Sequence, residues 1–339
     1  ALLKAAVVIL NWNGKKFLEQ FLPAVIQHSK NIASIIVADN ASSDDSVAFL
    51  KEHFPEIRII QNQSNGGFAK GYNDALKLID AEYYVLLNSD IEVTPGWIEP
   101  VLGLMDSDKS IAACQPKIRS YHEREKFEYA GAAGGYIDKY GYPFCRGRLF
   151  FTIEEDEGQY NDTREIFWAT GACLFVRAEL YHKLGGLDED FFAHMEEIDF
   201  CWRLKNHGYK IMYCPDSIVF HIGGGTLPKS SSRKTYLNFR NNFTLLYKNL
   251  PAKRLAPVFT ARLLLDGIAA IKFLLDGGFK DFIAVSRAHL SFYRNIGKIR
   301  KKRKLQIQQK VRHIYHGNIV VDYYLLKRKK FTDLKKKIY

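Results

Sequence analysis

YVLLNSDIEV, residues 84–93, is an apolar run that halts at three small polar residues and then resumes. Tyr83, Tyr84, Val85, Leu86 and Leu87 suit a strand buried on both faces, whereas Asn88, Ser89 and Asp90 do not. Ile91, Glu92 and Val93 return to strand-like alternation. A strand without a polar face belongs to a sheet covered on both sides. Asn88-Ser89-Asp90 therefore ends such a strand and sets a carboxylate at its tip.

The same arrangement recurs upstream. AAVVIL (5–10), SIIVAD (34–39) and IRIIQN (57–62) read as further strands. Between them, Phe17, Leu18, Phe21, Leu22, Val25 and Ile26 share a helical face, and Val47, Leu50 and Phe54 follow N-cap candidates in Ser42-Ser43-Asp44-Asp45. FAKGYNDALKLI gives a third helix, PGWIEPVLGLM a fourth with Pro95 near its first turn, and IAACQPKI (111–118) another strand. Regular alternation predicts an α/β fold with a mostly parallel central sheet flanked by helices.

Ligands of such sheets bind beyond the carboxyl ends of the strands. The residues there are Asn11 and Asn13, Asp39 and Asn40, Asn65-Gly66-Gly67, and Asn88-Ser89-Asp90. Each set is also ordinary turn chemistry; four sets at successive strand ends converge on one crevice. No GxGxxG opens a helix and no GxxxxGK[ST] is present, which removes the usual dinucleotide and P-loop signatures. A lone carboxylate with small neighbours suits Mg²⁺ or Mn²⁺, ions that combine one or two carboxylates with phosphate oxygens and water. The chemical expectation is a nucleoside diphosphate held through a metal on Asp90, with Asp39 accepting hydrogen bonds from base or ribose.

The 339 residues are 47% hydrophobic and 25% charged, ordinary for a globular chain with a substantial core. ALLKAAVVILNWN enters a strand directly and lacks the features of a signal peptide. Five cysteines without CxxC spacing point to neither a disulfide framework nor a zinc site, and to a reducing, cytoplasmic setting. The net charge of +12 is uneven. Residues 233–339 hold 26 Lys plus Arg against 5 Asp, a balance of +21 that leaves −9 for residues 1–232. GGGTLPKSSSRK (223–234) reads as a linker or mobile loop between the two regions.

VVILNWNG (7–14), IIVADNASSDDS (35–46), NGGFAKGYN (65–73), LLNSD (86–90), WATGACLFVRAEL (168–180), GGLDEDFFAHMEEIDFCWRLKNHGY (185–209) and VFHIGGGT (219–226) together resemble the family 2 glycosyltransferases of the GT-A fold, a group with many bacterial rhamnosyltransferases. The resemblance spans about two-thirds of the chain. It implies that Asp39 meets the nucleotide base, with Asn11, Asn13, Asn65 and Gly67 along the donor. Asn88-Ser89-Asp90 stands in place of the family's DxD motif, with Asn as its first residue, so Asp90 carries the metal with less charge help and His221 completes the metal site. In MEEIDFCWR, Glu197 falls at the position of the catalytic base, where most relatives have Asp, and the choice between Glu197 and Glu196 stays open. Arg203 is placed to touch phosphate or to pair an acid. Trp168, Thr170 and Gly171 are placed to wall the acceptor side, or, for Trp168, to be a buried aromatic. The acids of 188–199 also read as the solvated start of a helix.

FTARLLLDGIAAIKFLL (259–275) is too short and too interrupted by charge for a membrane span. Leu263, Leu264, Gly267, Ile268, Ile271 and Leu275 instead form a helical stripe, followed by FKDFIAVSRAHLSFYRNI, GKIRKKRKLQ and LKRKKFTDLKKKIY. Basic amphipathic helices suit an anionic membrane surface, and no nucleic-acid motif accompanies the charge. The resulting expectation is a GT-A catalytic domain (1–230) and a basic, mainly helical, membrane-associating region (231–339). The activity implied is metal-dependent, inverting transfer from a nucleotide sugar to a hydroxyl of a glycan or lipid-linked acceptor in cell-surface polysaccharide synthesis, peripheral to the inner face of the plasma membrane. A sugar-nucleotide pyrophosphorylase and a catalytically inactive membrane-surface adaptor are the rival readings.

Overall fold

The computed structural model describes residues 4–223 and 231–339. The front half runs β1 (Ala5–Asn11), α1 (Lys15–Ser29), β2 (Ala33–Asp39), α2 (Ser46–His53), β3 (Arg58–Gln61), α3 (Gly67–Leu76), β4 (Tyr83–Asn88), β5 (Ile91–Val93), α4 (Glu99–Ser107) and β6 (Ile111–Ser120). Short strands follow: β7 (Gly135–Asp138), β8 (Pro143–Cys145), β9 (Arg148–Leu149), β10 (Thr152–Ile153) and β11 (Arg164–Ile166). Then come β12 (Cys173–Arg177), α5 (Ala178–Lys183), α6 (Glu196–Asn206) and β13 (Lys210–His221). The rear holds α7 (Ser232–Asn249), α8 (Ala252–Leu275), α9 (Phe279–Arg294), α10 (Ile296–Lys304) and β14 (Ile314–Tyr315).

The central sheet has the order β11-β13-β6-β12-β4-β1-β2-β3, with β5 paired to β13. Strands β1 to β4, β6 and β13 run one way, whereas β5, β11 and β12 oppose them. Side chains alternate across this sheet as the strand period demands. Val7, Ile9, Val85 and Leu87 pack with Leu18, Leu22, Val101 and Met105 on one face. Val8, Tyr84 and Leu86 pack with Ala69, Tyr72, Leu76 and Leu180 on the other. The interruption in YVLLNSDIEV is a change of partner: β4 lies between β1 and β12, and after Ser89-Asp90 the chain turns to pair antiparallel with β13.

One local expectation shifts. Helix α4 starts at Glu99, and it is Pro100, not Pro95, that occupies its first turn, where no intrahelical N–H is needed. Of the anticipated linker, residues 224–230 lie outside the described residues; Ser231 caps α7 by accepting from the Lys234 N–H at 3.3 Å.

The basic rear is no loose appendage. Leu245, Leu246, Leu250, Val258, Tyr315, Ile319 and Tyr323 belong to the same buried cluster as Val8 and Leu86. β14 extends a second sheet, β10-β9-β8-β7-β14, by pairing parallel to β7. Helix α8 is inverted with respect to water. Its inward face carries Arg262 and Asp266, joined to each other at 3.0 Å and to Asn242, Tyr142 and His289, while Leu263, Leu264, Ile268 and Ile271 point outward. Among the described residues no helix is long and apolar enough to cross a membrane. All five cysteines are buried free thiols.

Candidate active site

Residue pairings Leu10 with Asn88, Asn11 with Asp39, and Asp39 with Gln61 set the ends of β4, β1, β2 and β3 in one row. Asn11 Nδ2 donates to Asp39 Oδ1 at 3.0 Å, and Ser42 donates to both oxygens of that carboxylate, from its N–H at 2.9 Å and its hydroxyl at 2.7 Å. Asp39 is thus buried and held by its own loop. Asn40 Nδ2 extends the row to Asn65 Oδ1 at 2.9 Å, which also accepts from the Gly67 N–H. Asn13, with a left-handed φ of 50°, latches the following loop by accepting from the N–H groups of Ser43 and Asp44. Asn11 Oδ1 remains buried with no partner among the described residues. Gly14 lets this row approach Ser89: a Cβ there would sit 2.5 Å from Asn11 Oδ1 and 3.6 Å from Ser89 Oγ.

Asp90 is buried at the β4–β5 turn, beside the last residue of β13. His221 Nε2 lies 3.1 Å from Asp90 Oδ1, and His221 Nδ1 lies 3.0 Å from Glu128 Oε2. Glu128 Oε2 accepts in addition from the Ala130 N–H at 2.7 Å. Burial opposes charge on the imidazole, yet Glu128 and Asp90 outweigh it and hold His221 at a pKa of about 10. Burial likewise works against both carboxylates, and the imidazolium more than offsets it, so both sit below their usual range.

Asp90 and His221 can share a divalent cation once the imidazole gives up its proton. Two neighbouring ligands of an octahedral ion with bonds of ~2.1 Å stand ~3 Å apart, which matches the Asp90–His221 separation. Glu128 on the other ring nitrogen is the kind of partner that orients a ligating imidazole. Among the described residues no three His, Cys, Asp or Glu side chains are arranged to hold an ion alone. A cation here would draw its other ligands from a substrate or water.

Across the row stands α6. Phe192, His194 and Met195 enter it with positive φ of 61°, 69° and 70°, a conformation costly for residues with a Cβ. Asn241 from α7 restrains the strain, donating through Nδ2 to the carbonyls of Phe191 (3.0 Å), Ala193 (2.9 Å) and His194 (2.8 Å). Immediately after, Glu196 and Glu197 each keep a buried Oε2 with no partner among the described residues. Burial pushes Glu197 up to about 7 and, with the neighbouring Glu197 carboxylate, drives Glu196 well above the usual range. Glu197 adjoins Gly171, whose Cβ would lie 3.7 Å from Glu197 Cβ and 3.2 Å from the Phe68 ring. The next residue, Ala172, accepts the Asn88 N–H at 2.9 Å. Gly67 makes a second bridge: at φ +92°, a Cβ would stand 2.6 Å from the Phe192 carbonyl. Strand tips and acid helix are therefore in contact from both ends. Two surface cavities lie elsewhere, one beside Tyr236 and Arg287, the other beside Gln20 and Tyr121.

In three places the structure selects one of the alternatives that the sequence left open. Arg203 is buried and occupied by Asp199 (3.0 Å) and the carbonyls of Leu184 and Gly186, so it pairs an acid and does not face a donor. Trp168 is a core residue: its Nε1 donates to the Tyr136 carbonyl and its ring packs on Gly135, too close for any Cβ. The acids of α6 are not a solvated helix start, since Glu196 and Asp199 are buried. Thr170 is buried as well, fixed by Gln115 and the Ala172 N–H.

Residues 6–185, over half of the chain, match the family model described as glycosyl transferase family 2. The chain belongs to that family. This glycosyltransferase is 26% identical over 230 residues to an N-acetylglucosaminyl-diphospho-decaprenol L-rhamnosyltransferase of Mycobacterium tuberculosis, covering 63% of this chain and 75% of the relative. It is 24% identical over 232 residues to the dTDP-rhamnosyl transferase RfbF of Shigella flexneri, covering 63% and 71%. A solved mannosyltransferase of Pyrobaculum calidifontis, in complex with GDP-Man and Mn²⁺, superposes with a TM-score of 0.54 at 13% identity over 90% of this chain and 85% of that one. The likeness to that structure is one of fold, and the fold is GT-A. Membership in an enzyme family of sugar transferases sets aside the pyrophosphorylase and inactive-adaptor readings.

Sequence reasoning did not single out Glu128, which reaches His221 from 93 residues away. It also missed Asn241 and Lys248 of α7. The buried Lys248 ammonium of this glycosyltransferase bonds Asp188 at 2.7 Å and Asp199 at 2.8 Å. A buried lysine among leucines in FTLLYKNL was the available signal.

Proposed function

We propose that this glycosyltransferase moves a deoxyhexose, L-rhamnose, from a nucleoside-diphosphate donor to a hydroxyl of a diphospholipid-linked glycan, with inversion, during cell-surface polysaccharide assembly. The two rhamnosyltransferase relatives support the sugar, and the decaprenol-linked substrate named for one of them supports the acceptor class. The row Asn11, Asp39, Asn40 and Asn65 receives the nucleoside. Asp90 and His221 hold a divalent cation, Mg²⁺ or Mn²⁺, with Glu128 orienting the imidazole. The ion supplies charge compensation for the departing diphosphate.

Glu197 takes the proton of the attacking hydroxyl. Its pKa of about 7 makes it a carboxylate strong enough to accept that proton and still ionised in a useful fraction near neutral pH. Glu196, pushed well above the usual carboxylate range by burial and by the Glu197 carboxylate, stands beside it. A single displacement by the hydroxyl inverts the anomeric configuration. Residues 231–339, as a basic region, keep the enzyme peripheral to the inner face of an anionic membrane, where a lipid-linked acceptor resides.

One observation carries the reading: Glu197, whose Oε2 is buried with no partner among the described residues, has its Cβ beside Gly171, and the adjoining Ala172 carbonyl holds the tip of β4, two residues before Asp90. The test is transfer by the purified full chain with Mn²⁺, a panel of nucleotide sugars including dTDP-rhamnose, and a GlcNAc-diphospholipid acceptor, with the product's anomeric configuration read by NMR. Inverted product from dTDP-rhamnose, lost in Glu197→Gln and in Asp90→Ala, is the expected result. A retained configuration, or full turnover in both variants, rejects the assigned roles.

A further inference from the structure

Eight of the large hydrophobic side chains exposed on this protein fall between residues 263 and 283, on one helical hairpin. The pattern follows from how α8 sits. Its charged pair Arg262–Asp266 is turned inward onto Tyr142, Asn242 and His289, so the opposite face is left with Leu263, Leu264, Ile268, Ile271 and Leu275. The turn to α9 is Asp276-Gly277-Gly278, and just past it Phe279 is again exposed. Leu275 is 81% exposed and Leu264 68%. A contiguous apolar stripe of this kind on a surface helix marks an interaction site.

We propose that the α8–α9 hairpin inserts this apolar face and tip into the acyl boundary of an anionic lipid leaflet, laying the membrane on the side of the site where the start of α7 meets Phe192. This deepens the membrane reading above and rests on it. Charge decides the occupant. The region from residue 233 onward carries +21, so a second copy seated on the same face would bring two strongly like-charged surfaces together. An anionic headgroup layer instead complements the basic residues of α9, Lys280, Arg287 and Arg294, and the stripe itself takes the acyl chains. The hairpin is also tied to the site. Thr235 Oγ1 donates to Asp281 Oδ1 in the first turn of α9 at 2.6 Å. Two residues earlier, the Arg233 guanidinium stacks 5.4 Å from the Phe192 ring, which packs on Gly67 at the strand tips. A sugar carried on a lipid diphosphate would thus meet the site from the plane in which its lipid already lies.

The test uses the full chain with vesicles of phosphatidylcholine alone or mixed with phosphatidylglycerol. Co-sedimentation with the anionic vesicles is expected, weakened at least tenfold in an Ile271→Asp/Leu275→Asp double variant whose melting temperature and transfer to a water-soluble acceptor match the wild type. A Phe279→Trp variant reports depth, and its added fluorescence is expected to be quenched by brominated acyl chains. Undiminished binding by the double variant, or no quenching while vesicles still bind, overturns hairpin insertion and leaves peripheral attachment standing. No vesicle binding by the wild type overturns both. A concentration-dependent dimer in analytical ultracentrifugation that the double variant abolishes assigns the face to a second copy and overturns the proposal.

Discussion

The side-chain amide of Asn241 donates to the carbonyl oxygen of His194 at 2.8 Å, so a helix of the basic rear holds the backbone two residues before Glu196. Removing that amide frees a segment with three non-glycine residues at positive φ. Asn241→Ala is expected to lower kcat about tenfold to a hundredfold, the range for a small misplacement of a catalytic group. The donor KM should change far less, because Asp39 and Asn65 belong to other loops. Steady-state kinetics well below the unfolding temperature checks this. A variant that melts earlier yet keeps the wild-type kcat would reduce Asn241 to a structural residue.

Glu197 sets a pH limb. The free enzyme's kcat/KM should rise with pH through about 7 as the buried carboxyl loses its proton. Glu197→Gln should cost ~10²–10⁴ in kcat. Glu196→Gln removes the acid whose partner on the proposed path is Glu197, and should cost less activity than Glu197→Gln. A rate profile without an ionisation between pH 6 and 8 would count against the assignment.

The Asp90–His221–Glu128 trio predicts opposite stability limbs in metal-free protein. His221 has a folded pKa of about 10, above its unfolded value of ~6.5. Its contribution is complete below pH ~6.5 and disappears as pH rises towards 10. The two carboxylates have lowered folded pKa values, so their contributions are present above their unfolded values of ~4 and are lost as pH falls. Melting temperature in EDTA should therefore fall at both ends, and His221→Ala should remove the alkaline limb while lowering stability by about 3–5 kcal/mol through two facing buried carboxylates. Glu128→Gln should weaken Mn²⁺ binding about 10–100-fold, measured by calorimetry without substrate.

Lys248→Met tests the joint between α6 and α7. Both of its acid partners are buried, and taking one member from such a cluster leaves charge without compensation. A loss of about 3 kcal/mol in urea-induced unfolding is expected. A stability change under about 1 kcal/mol would show that Arg203, Asn249 and Lys302 suffice for Asp199 and Asp188.

The strand–helix frame was legible because burial on both faces writes itself into sequence as unbroken apolar runs such as Tyr83–Leu87. The row of strand tips was legible for the same reason: each run ends in residues that a core would not hold. Depth was not. Helical spacing placed Arg203 on a face of α6 but could not say that Leu184 and Gly186 carbonyls close over its guanidinium. Trp168 looked equally suited to a wall or a core, and only the absence of a Cβ at Gly135 decides. Glu128 carries no local pattern, since its role arises where the loop after β6 meets the end of β13. The stripe on α8 was readable as a stripe; that it faces outward depends on Tyr142 and Asn242 receiving Asp266 and Arg262.

Tyr315 in β14 closes a sheet that opens at Gly135, pairing alongside Asp138. Apart from the Gly135–Trp168 bridge, that edge of β7 therefore stays uncovered during synthesis until residue 315 has been made. A message truncated before that point would release a chain whose unpaired strand edge is the sort that recruits other chains. Protection of this edge is in that sense written far downstream of the strand it covers, in Ile314 and Tyr315.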